Sequence, residues 1–428
     1  MVMNEDFLQY LWKHKKFELS NLKTTHQQKI VLRHAGVHNT ENSGPDFFNA
    51  QMSIEDQKWA GNVEVHYKSS DWYVHNHEND PSYDNVILHV VWEDDTEIFR
   101  RDNTMIPTLQ LKDYIPKLTL KRYHTLFNTH HYNWVQCEKQ LPKVSSFVMS
   151  NWKERLYIER LEQKSILILE LLQNSSNNWE AVFFKLLAKN FGLKINGEAF
   201  LSLSHSFDFS VVQKCCESLN RLEALFLGQA DLLMVKNETA YSRKLKEEYG
   251  FLKNKFQLNN TGVLPSQFFR LRPSNFPTIR LAQLAKLYFS HQHLFNTVIQ
   301  TTNIEDFYDL FQVDTSDFWK NHYTFEKESY PRKKRITQSF IDLILINTVI
   351  PIKFIYAKSQ GKNPEEEVFE LLSQVSYEKN TITDHFISLK IPINNAIHSQ
   401  AMIQLKNNYC DQKACLKCAI GNYLLNQD

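Results

Sequence analysis

The sequence predicts an α/β or α+β N-terminal domain followed by a larger all-α domain. Three observations carry this expectation. Between about residue 29 and residue 92, apolar side chains recur at every second position, the period of a strand. Beyond about residue 140 they recur with the period of a helix. Short polar breaks such as Asn174-Ser175-Ser176-Asn177 separate the later segments, with no internal repeat and no low-complexity tract. A chain of 428 residues exceeds one ordinary core, so more than one domain is expected, divided here as 1–125 and 126–428.

Residues 5–16 read as a helix with Asn4 as N-cap and Phe7, Leu8, Leu11 and Trp12 on one face. Lys29–Arg33 reads as a strand. Phe48, Ala50, Met52 and Ile54 alternate with polar residues and form a second. Val63, Val65 and Tyr67 alternate with Glu64, His66 and Lys68 and form a third. Ser70–Glu78 reads as a short helix or an ordered loop. Val86–Trp92 is nearly continuous in apolar residues, as expected of a strand covered on both faces, and Thr108–Leu111 adds an edge strand. Helices are expected at Val148–Leu172, Trp179–Phe191, Val211–Leu227, Thr278–Leu294, Gln338–Ala357 and Glu366–Val375.

Composition narrows the function classes. Only 10 glycines are present, with no GxGxxG and no GxxxxGK[ST], which argues against nucleotide-binding enzymes of those types. A net charge of +1 disfavours non-specific coating of nucleic acid. The basic runs Lys13-His14-Lys15-Lys16 and Arg332-Lys333-Lys334-Arg335 read as solvated. The N-terminus lacks the pattern of a secretory signal. The most apolar segment, Ile341–Ala357, is interrupted by Asp342, Asn347, Pro351 and Lys353. It reads as a buried, proline-kinked helix, too short and too polar to span a bilayer. The expectation is a cytoplasmic chain without membrane attachment, whose 6 cysteines are thiols or metal ligands.

Candidate chemistry concentrates between Gly44 and His89. Asp46 shares a strand face with Phe48 and Ala50, and Glu64, His66 and Lys68 project together from the next strand. If these strands pair, Asp46 and Glu64 approach each other. Two such carboxylates suit Mg²⁺ or Mn²⁺, with His66 or Lys68 orienting or deprotonating a water. Asp71 and Trp72 follow as accessory candidates, Asp71 in a first helical turn and Trp72 as a stacking platform. His75, His77 and Asp80 form H-x-H-x-x-D, a trio that can hold zinc from a turn, with His66 and His89 as further ligands. His89, inside an apolar strand, reads first as a hydrogen-bonded packing residue.

Pro45-Asp46 followed, after 17 intervening residues, by Glu64-Val65-His66 resembles the PD-(D/E)XK, or restriction-endonuclease-like, nuclease core. The resemblance implies a mixed sheet, Asp46 and Glu64 as metal ligands, and a water-assisting lysine. This chain has His66 at the lysine position, with Lys68 on the same face as a substitute. The whole chain also resembles a bacterial family catalogued as a domain of unknown function. That likeness rests on GPDF at 44–47, GNVEVH at 61–66, SSDW at 69–72, HNH at 75–77, VILHVV at 86–91 and YCDQKACLKCAIG at 409–421.

Cys410, Cys415 and Cys418 have C-x4-C-x2-C spacing, which suits zinc or an iron–sulfur cluster held as a structural site. Cys137 is the favoured remote fourth ligand, with His398 an alternative for zinc. Cys215 and Cys216 lie in a helical pattern and read as core. The chain is similar here to PD-(D/E)XK nucleases clasped by an iron–sulfur cluster, except that its remote cysteine follows the strands. By that likeness the C-terminus would return to clasp the two domains. Arg270, Arg272 and Arg280 are candidates for holding a phosphate backbone, or for pinning helix ends.

Three functions follow from these residues. The first is a Mg/Mn-dependent nuclease acting on DNA or RNA. The second is a non-catalytic nucleic-acid- or protein-binding module with a degenerate nuclease site. The third is a zinc-dependent hydrolase built on His75, His77 and Asp80.

Overall fold

In the computed structural model, residues 5–40, 43–127, 134–235 and 238–427 are described. The proposed cap Asn4 lies outside them. Helix α1 (Glu5–Lys13) presents Phe7, Leu8, Leu11 and Trp12 to the interior, as their spacing requires. The strands follow as β1 (Ile30–His34), β2 (Val37–His38), β3 (Phe47–Ile54), β4 (Gln57–Lys68), β5 (Val86–Glu93) and β6 (Thr108–Gln110). They form one mixed sheet in the order β1-β3-β4-β5-β6, with β2 also on β3. The β1–β3 and β3–β4 pairs are antiparallel; β4–β5 and β5–β6 are parallel.

Two features of this sheet position the residues that follow. A left-handed residue, Asn49 (φ 56°), interrupts β3, and the register jumps between Phe47↔Val63 and Ala50↔Gly61. The bulge shifts the parity of the residues that precede it, so Phe47 takes the inward place expected of Phe48 while Ala50, Met52 and Ile54 lie as expected. Phe47, Ala50, Met52 and Ile54 turn inward, so Asp46 does not share a face with Ala50. The second feature is the parallel β4–β5 pair, which cannot be closed by a hairpin. The chain crosses back through residues 69–85, carrying helix α2 (Asp71–Val74) and two 3₁₀ turns, His77–Asn79 and Pro81–Tyr83. Both faces of β4 are covered at Val63–His66, which excludes a solvated face for Glu64 and His66.

The chain divides into two compact units, Met1–Trp152 with Lys406–Asp428, and Lys153–Leu405. The sequence expectation ended the first domain at 125 and kept the C-terminal segment with the helices. In the first unit that segment docks beside α1 and helix α3 (Lys117–Phe127), and Asn426 Nδ2 donates to Tyr10 Oη at 3.3 Å. The second unit is helical. Its helix Trp179–Phe191 lies where expected, whereas the expected Val211–Leu227 is two helices, Phe209–Cys215 and Leu219–Gln229.

The apolar run is longer than its composition suggested. It is helical from Gln338 to Ser359, 22 residues, with a widened π turn at Leu345–Val349 just before Pro351. The π turn accommodates a proline that has no N–H to donate. This is the one helix among the described residues long and apolar enough to cross a membrane, and 78% of its apolar window is buried inside the protein. The run Arg332–Arg335 is not wholly solvated either. Lys334 is buried, donates to the carbonyls of Trp319 and Lys320, and lies 4.2 Å from the Tyr323 ring centroid.

Gly61 marks the close approach that lets the crossover return. A Cβ there would overlap Ile87 and lie 2.7 Å from the Asn85 carbonyl. Gly61→Ala is expected to cost about 1–3 kcal/mol by overpacking. Thermal melting followed by circular dichroism measures this, and an unchanged melting temperature would contradict it.

Candidate metal centre

The geometry builds outward from Glu64. Its neighbours Val63 and Val65 face the core, so strand alternation sends the carboxylate to the opposite side, where it is only 5% exposed. Glu64 Oε2 accepts the Asp46 backbone N–H at 3.0 Å, and Asp46 Oδ2 accepts the Val65 N–H at 3.1 Å. This reciprocal pair of bonds holds the two carboxylates side by side. Gln9 of α1 donates to Asp46 Oδ1 at 2.9 Å. Burial pushes both carboxyls well above the usual carboxylate range, with the Glu64 charge adding to the rise at Asp46 and the Glu5 charge to that at Glu64.

Two histidines close on the other oxygen, and a third joins them. Glu64 Oε1 is 3.3 Å from His66 Nε2 and 3.4 Å from His77 Nε2. His75 Nδ1 is 3.1 Å from His66 Nε2. The ligand atoms of His66, His75 and His77 all lie within 4.8 Å of one another, the spacing of a group that can hold a metal ion. His75 and His77 reach the same point because Asn76 between them is left-handed (φ 59°), which folds the two rings to one side. The His77 ring is stacked on Tyr83, centroid to centroid 3.8 Å.

His89 lies opposite Glu64 in the parallel register. It is fully buried, and its Nε2 is 2.8 Å from His66 Nδ1. Burial lowers His66 to about 2 and His89 to about 3, so both are neutral imidazoles at any ordinary pH. A neutral His66 with Nδ1–H directed at His89 leaves Nε2 with a lone pair facing the cluster. That state suits a metal ligand better than a proton acceptor working near neutrality.

The remaining candidates are placed as follows. Lys68 Nζ leans toward Asp95 Oδ2 at 3.7 Å. Asp71 accepts the Lys68 N–H at 2.9 Å and begins α2. Trp72 is buried with Tyr83, Val86, Ile98 and Ile106, and its indole donates to the Phe99 carbonyl at 3.2 Å, so no face is offered for base stacking. Asp80 is exposed and caps the Pro81–Tyr83 turn by accepting the Ser82 N–H at 2.8 Å. Arg270 and Arg272 are exposed, as is Phe269 beneath the Arg270 guanidinium. Arg280 is buried, bonded to Gln283 and Asn275, with its guanidinium 3.6 Å from the Phe340 ring centroid. All three arginines belong to the second unit, and His398, also there, accepts the Asn394 N–H at 3.3 Å.

Two residues at the cluster were not anticipated. Glu5 and Gln9 lie one helical turn apart on α1. Burial raises Glu5, whose carboxylate accepts the Tyr67 N–H and faces His75. The signal for them was present: two polar residues spaced i, i+4 on an otherwise apolar helix.

A mixed-sheet unit that gathers the buried His66, the half-buried His77 and the exposed His75 beside the buried Glu64 carboxylate is joined in one chain to a helical unit. The chain belongs to the family described as Protein of unknown function (DUF2851), whose model matches residues 5–381. The match takes in the whole cluster and ends before Cys410. No curated protein and no solved structure matches the chain.

Residues that orient a metal-bound imidazole typically change affinity about 10–100-fold when removed. His89→Ala is expected to weaken Mn²⁺ or Zn²⁺ binding by that factor, and Asp80→Ala to leave it unchanged. Isothermal titration calorimetry distinguishes the two; equal affinities for both variants would contradict the assignment of His89.

Proposed function

We propose that this chain is a divalent-metal-dependent hydrolase that cleaves phosphodiester bonds of DNA or RNA. The observation that carries the reading is the convergence of the His66, His75 and His77 ligand atoms, with the fourth candidate, Glu64 Oε1, 3.3 Å from His66 and 3.4 Å from His77 and Asp46 fixed beside Glu64. These four would hold the ion, which supplies a polarised phosphoryl oxygen and a water acidic enough to attack at neutral pH. Asp46 adds negative charge next to the ligands, and Gln9 fixes its orientation. His89 sets the ring angle of His66. Glu5 is the remaining carboxylate at the rim, and its raised pKa suits it to accept the proton of that water.

The substrate class rests on the resemblance of Pro45-Asp46 and Glu64-Val65-His66 to the PD-(D/E)XK core. The placement of Asp46 directly before β3, beside Glu64 of the antiparallel β4, supports it. The zinc-hydrolase alternative is absorbed in part: His75 and His77 join the ligand set, and Glu64 with His66 takes the place assigned to Asp80. Three imidazoles favour Mn²⁺ or Zn²⁺ over Mg²⁺, which prefers oxygen ligands.

The test is cleavage of single- and double-stranded DNA and RNA with Mn²⁺, Zn²⁺ or Mg²⁺. Wild type is compared with Glu64→Gln, which keeps the side-chain volume, and with His77→Ala. Each substitution is expected to lower the rate by about 10²-fold or more. Equal rates in all three proteins would overturn the assignment. Folded, metal-loaded wild type that cleaves nothing would favour the non-catalytic binding module.

A further inference from the structure

The C-terminal segment carries a second constellation, independent of the histidine cluster. Cys410, Cys415 and Cys418 lie far from Cys137 in sequence, yet all four belong to the first unit. The local backbone is tightly folded around the three. A π turn over Leu405–Cys410 is followed by a reversal through left-handed Lys413 (φ 53°) and a 3₁₀ turn at Cys415–Lys417. The Ala414 N–H donates to the Tyr409 carbonyl at 2.8 Å, and the Cys418 N–H donates to the Cys415 carbonyl at 3.2 Å. Helix Ala419–Leu425 packs so closely on this turn that a Cβ at Gly421 would overlap the Cys415 carbonyl. Cys137 sits at the head of a 3₁₀ segment, its carbonyl accepting from Gln140 and Leu141 at 2.8 and 2.9 Å.

The four thiols lie within electrostatic reach of one another. Cys137 is near enough to Cys415 and Cys418 for their charges to repel, Cys410 near enough to Cys137, Cys415 and Cys418, and Cys415 near enough to Cys418, so no pair is left out. Among the described residues, which include all six cysteines, no disulfide is formed. Cys415 and Cys418 are buried and the other two half-buried. Burial and this crowding push Cys137 and Cys415 up to about 12 and Cys410 higher still. Cys215 and Cys216 provide the contrast. They lie in the second unit, and Cys216 Sγ donates to the Gln213 carbonyl, as a packed core thiol does.

We propose that Cys137, Cys410, Cys415 and Cys418 form a tetrathiolate site for one thiophilic metal centre, which fastens the C-terminal segment to the N-terminal unit. Thiolates are the ligand form, so loading releases the thiol protons to solvent, and the cation offsets the repulsion that otherwise opposes four adjacent sulfurs. Lys406, beside Cys410 and paired with Asp411, offsets part of the remaining negative charge. All four positions come from protein, so the centre is closed to substrate and structural. The shared chemistry is soft-metal thiolate ligation, which a zinc ion or an iron–sulfur cluster satisfies.

The test is elemental analysis, visible absorption and labile-sulfide assay of full-length protein purified under reducing, oxygen-free conditions without chelator. The variants are Cys137→Ser, a double Cys215→Ser/Cys216→Ser and a double His75→Ala/His77→Ala. Wild type is expected to retain about one tightly held centre that resists removal from the histidine cluster, as structural thiolate sites do. A colourless, zinc-containing protein identifies the ion; a brown protein with iron and labile sulfide identifies the cluster. Cys137→Ser is expected to lose the centre and to expose Cys410, Cys415 and Cys418 to a thiol reagent, while both double variants retain it. Wild-type protein whose four cysteines all react at once without metal, or are found as disulfides, would overturn the proposal. So would a metal that persists in Cys137→Ser and departs with His75→Ala/His77→Ala.

Discussion

A carboxylate buried in the middle of a sheet has to be compensated, and the N-terminal unit is arranged around that requirement at Glu64. Leaving such a charge unpaired costs several kcal/mol, as the desolvation of carboxylates implies. Glu64 receives one backbone N–H, from Asp46, and stands against two imidazoles. Asp46, itself buried, is held by Val65 and Gln9. None of these partners is a fixed cation. The imidazole nearest the carboxylate, His66, is held neutral by its own burial. Burial holds both carboxyls above the usual carboxylate range, so without a cation beside them they keep their protons, and a divalent cation bound there would displace those protons.

The topology serves that point. Parallel pairing of β4 and β5 sets His89 against Glu64 and demands a crossover, and the crossover is the segment that brings His75 and His77 back over the strand. The antiparallel β3 contributes Asp46, aimed by the bulge at Asn49. Helix α1 covers the site with Glu5 and Gln9. Elements distant in sequence thus each deliver one or two polar atoms to a small volume. The second unit houses Arg270, Arg272 and Arg280, of which Arg280 is buried and bonded to Gln283 and Asn275.

Much of this was legible in the sequence, for reasons that separate what was seen from what was missed. Period-two alternation located β3 and β4 and placed Glu64, His66 and Lys68 on one face of β4, while a continuous apolar run located β5. Pairing of the Asp46 and Glu64 segments followed from their proximity along the chain. Parity failed only ahead of Asn49, because a single left-handed residue puts Phe47 and not Phe48 on the face of Ala50 and leaves no mark in the hydrophobic pattern. Likewise, alternation cannot show that the polar face of β4 is covered. The expected proton acceptor His66 proved 2% exposed, and its burial turns it from a base into a ligand. Asp80 belonged to the H-x-H-x-x-D pattern by spacing alone; proline at position 81 makes it a turn cap instead. Thiol counting offered Cys137 as a remote partner for the C-terminal cysteines, and all four lie in the first unit. The return of that segment to the first unit was not fixed by any periodicity.

The account turns on a divalent cation bound by Glu64, His66, His75 and His77. The most direct measurement is a crystal structure of the full chain soaked with Mn²⁺, with data collected near the manganese absorption edge. The account predicts an anomalous peak within about 2.0–2.3 Å of Glu64 Oε1 and the three facing imidazole nitrogens, as metal–ligand distances require. A map with no peak there at saturating Mn²⁺, with the imidazoles still hydrogen-bonded to one another, would contradict it.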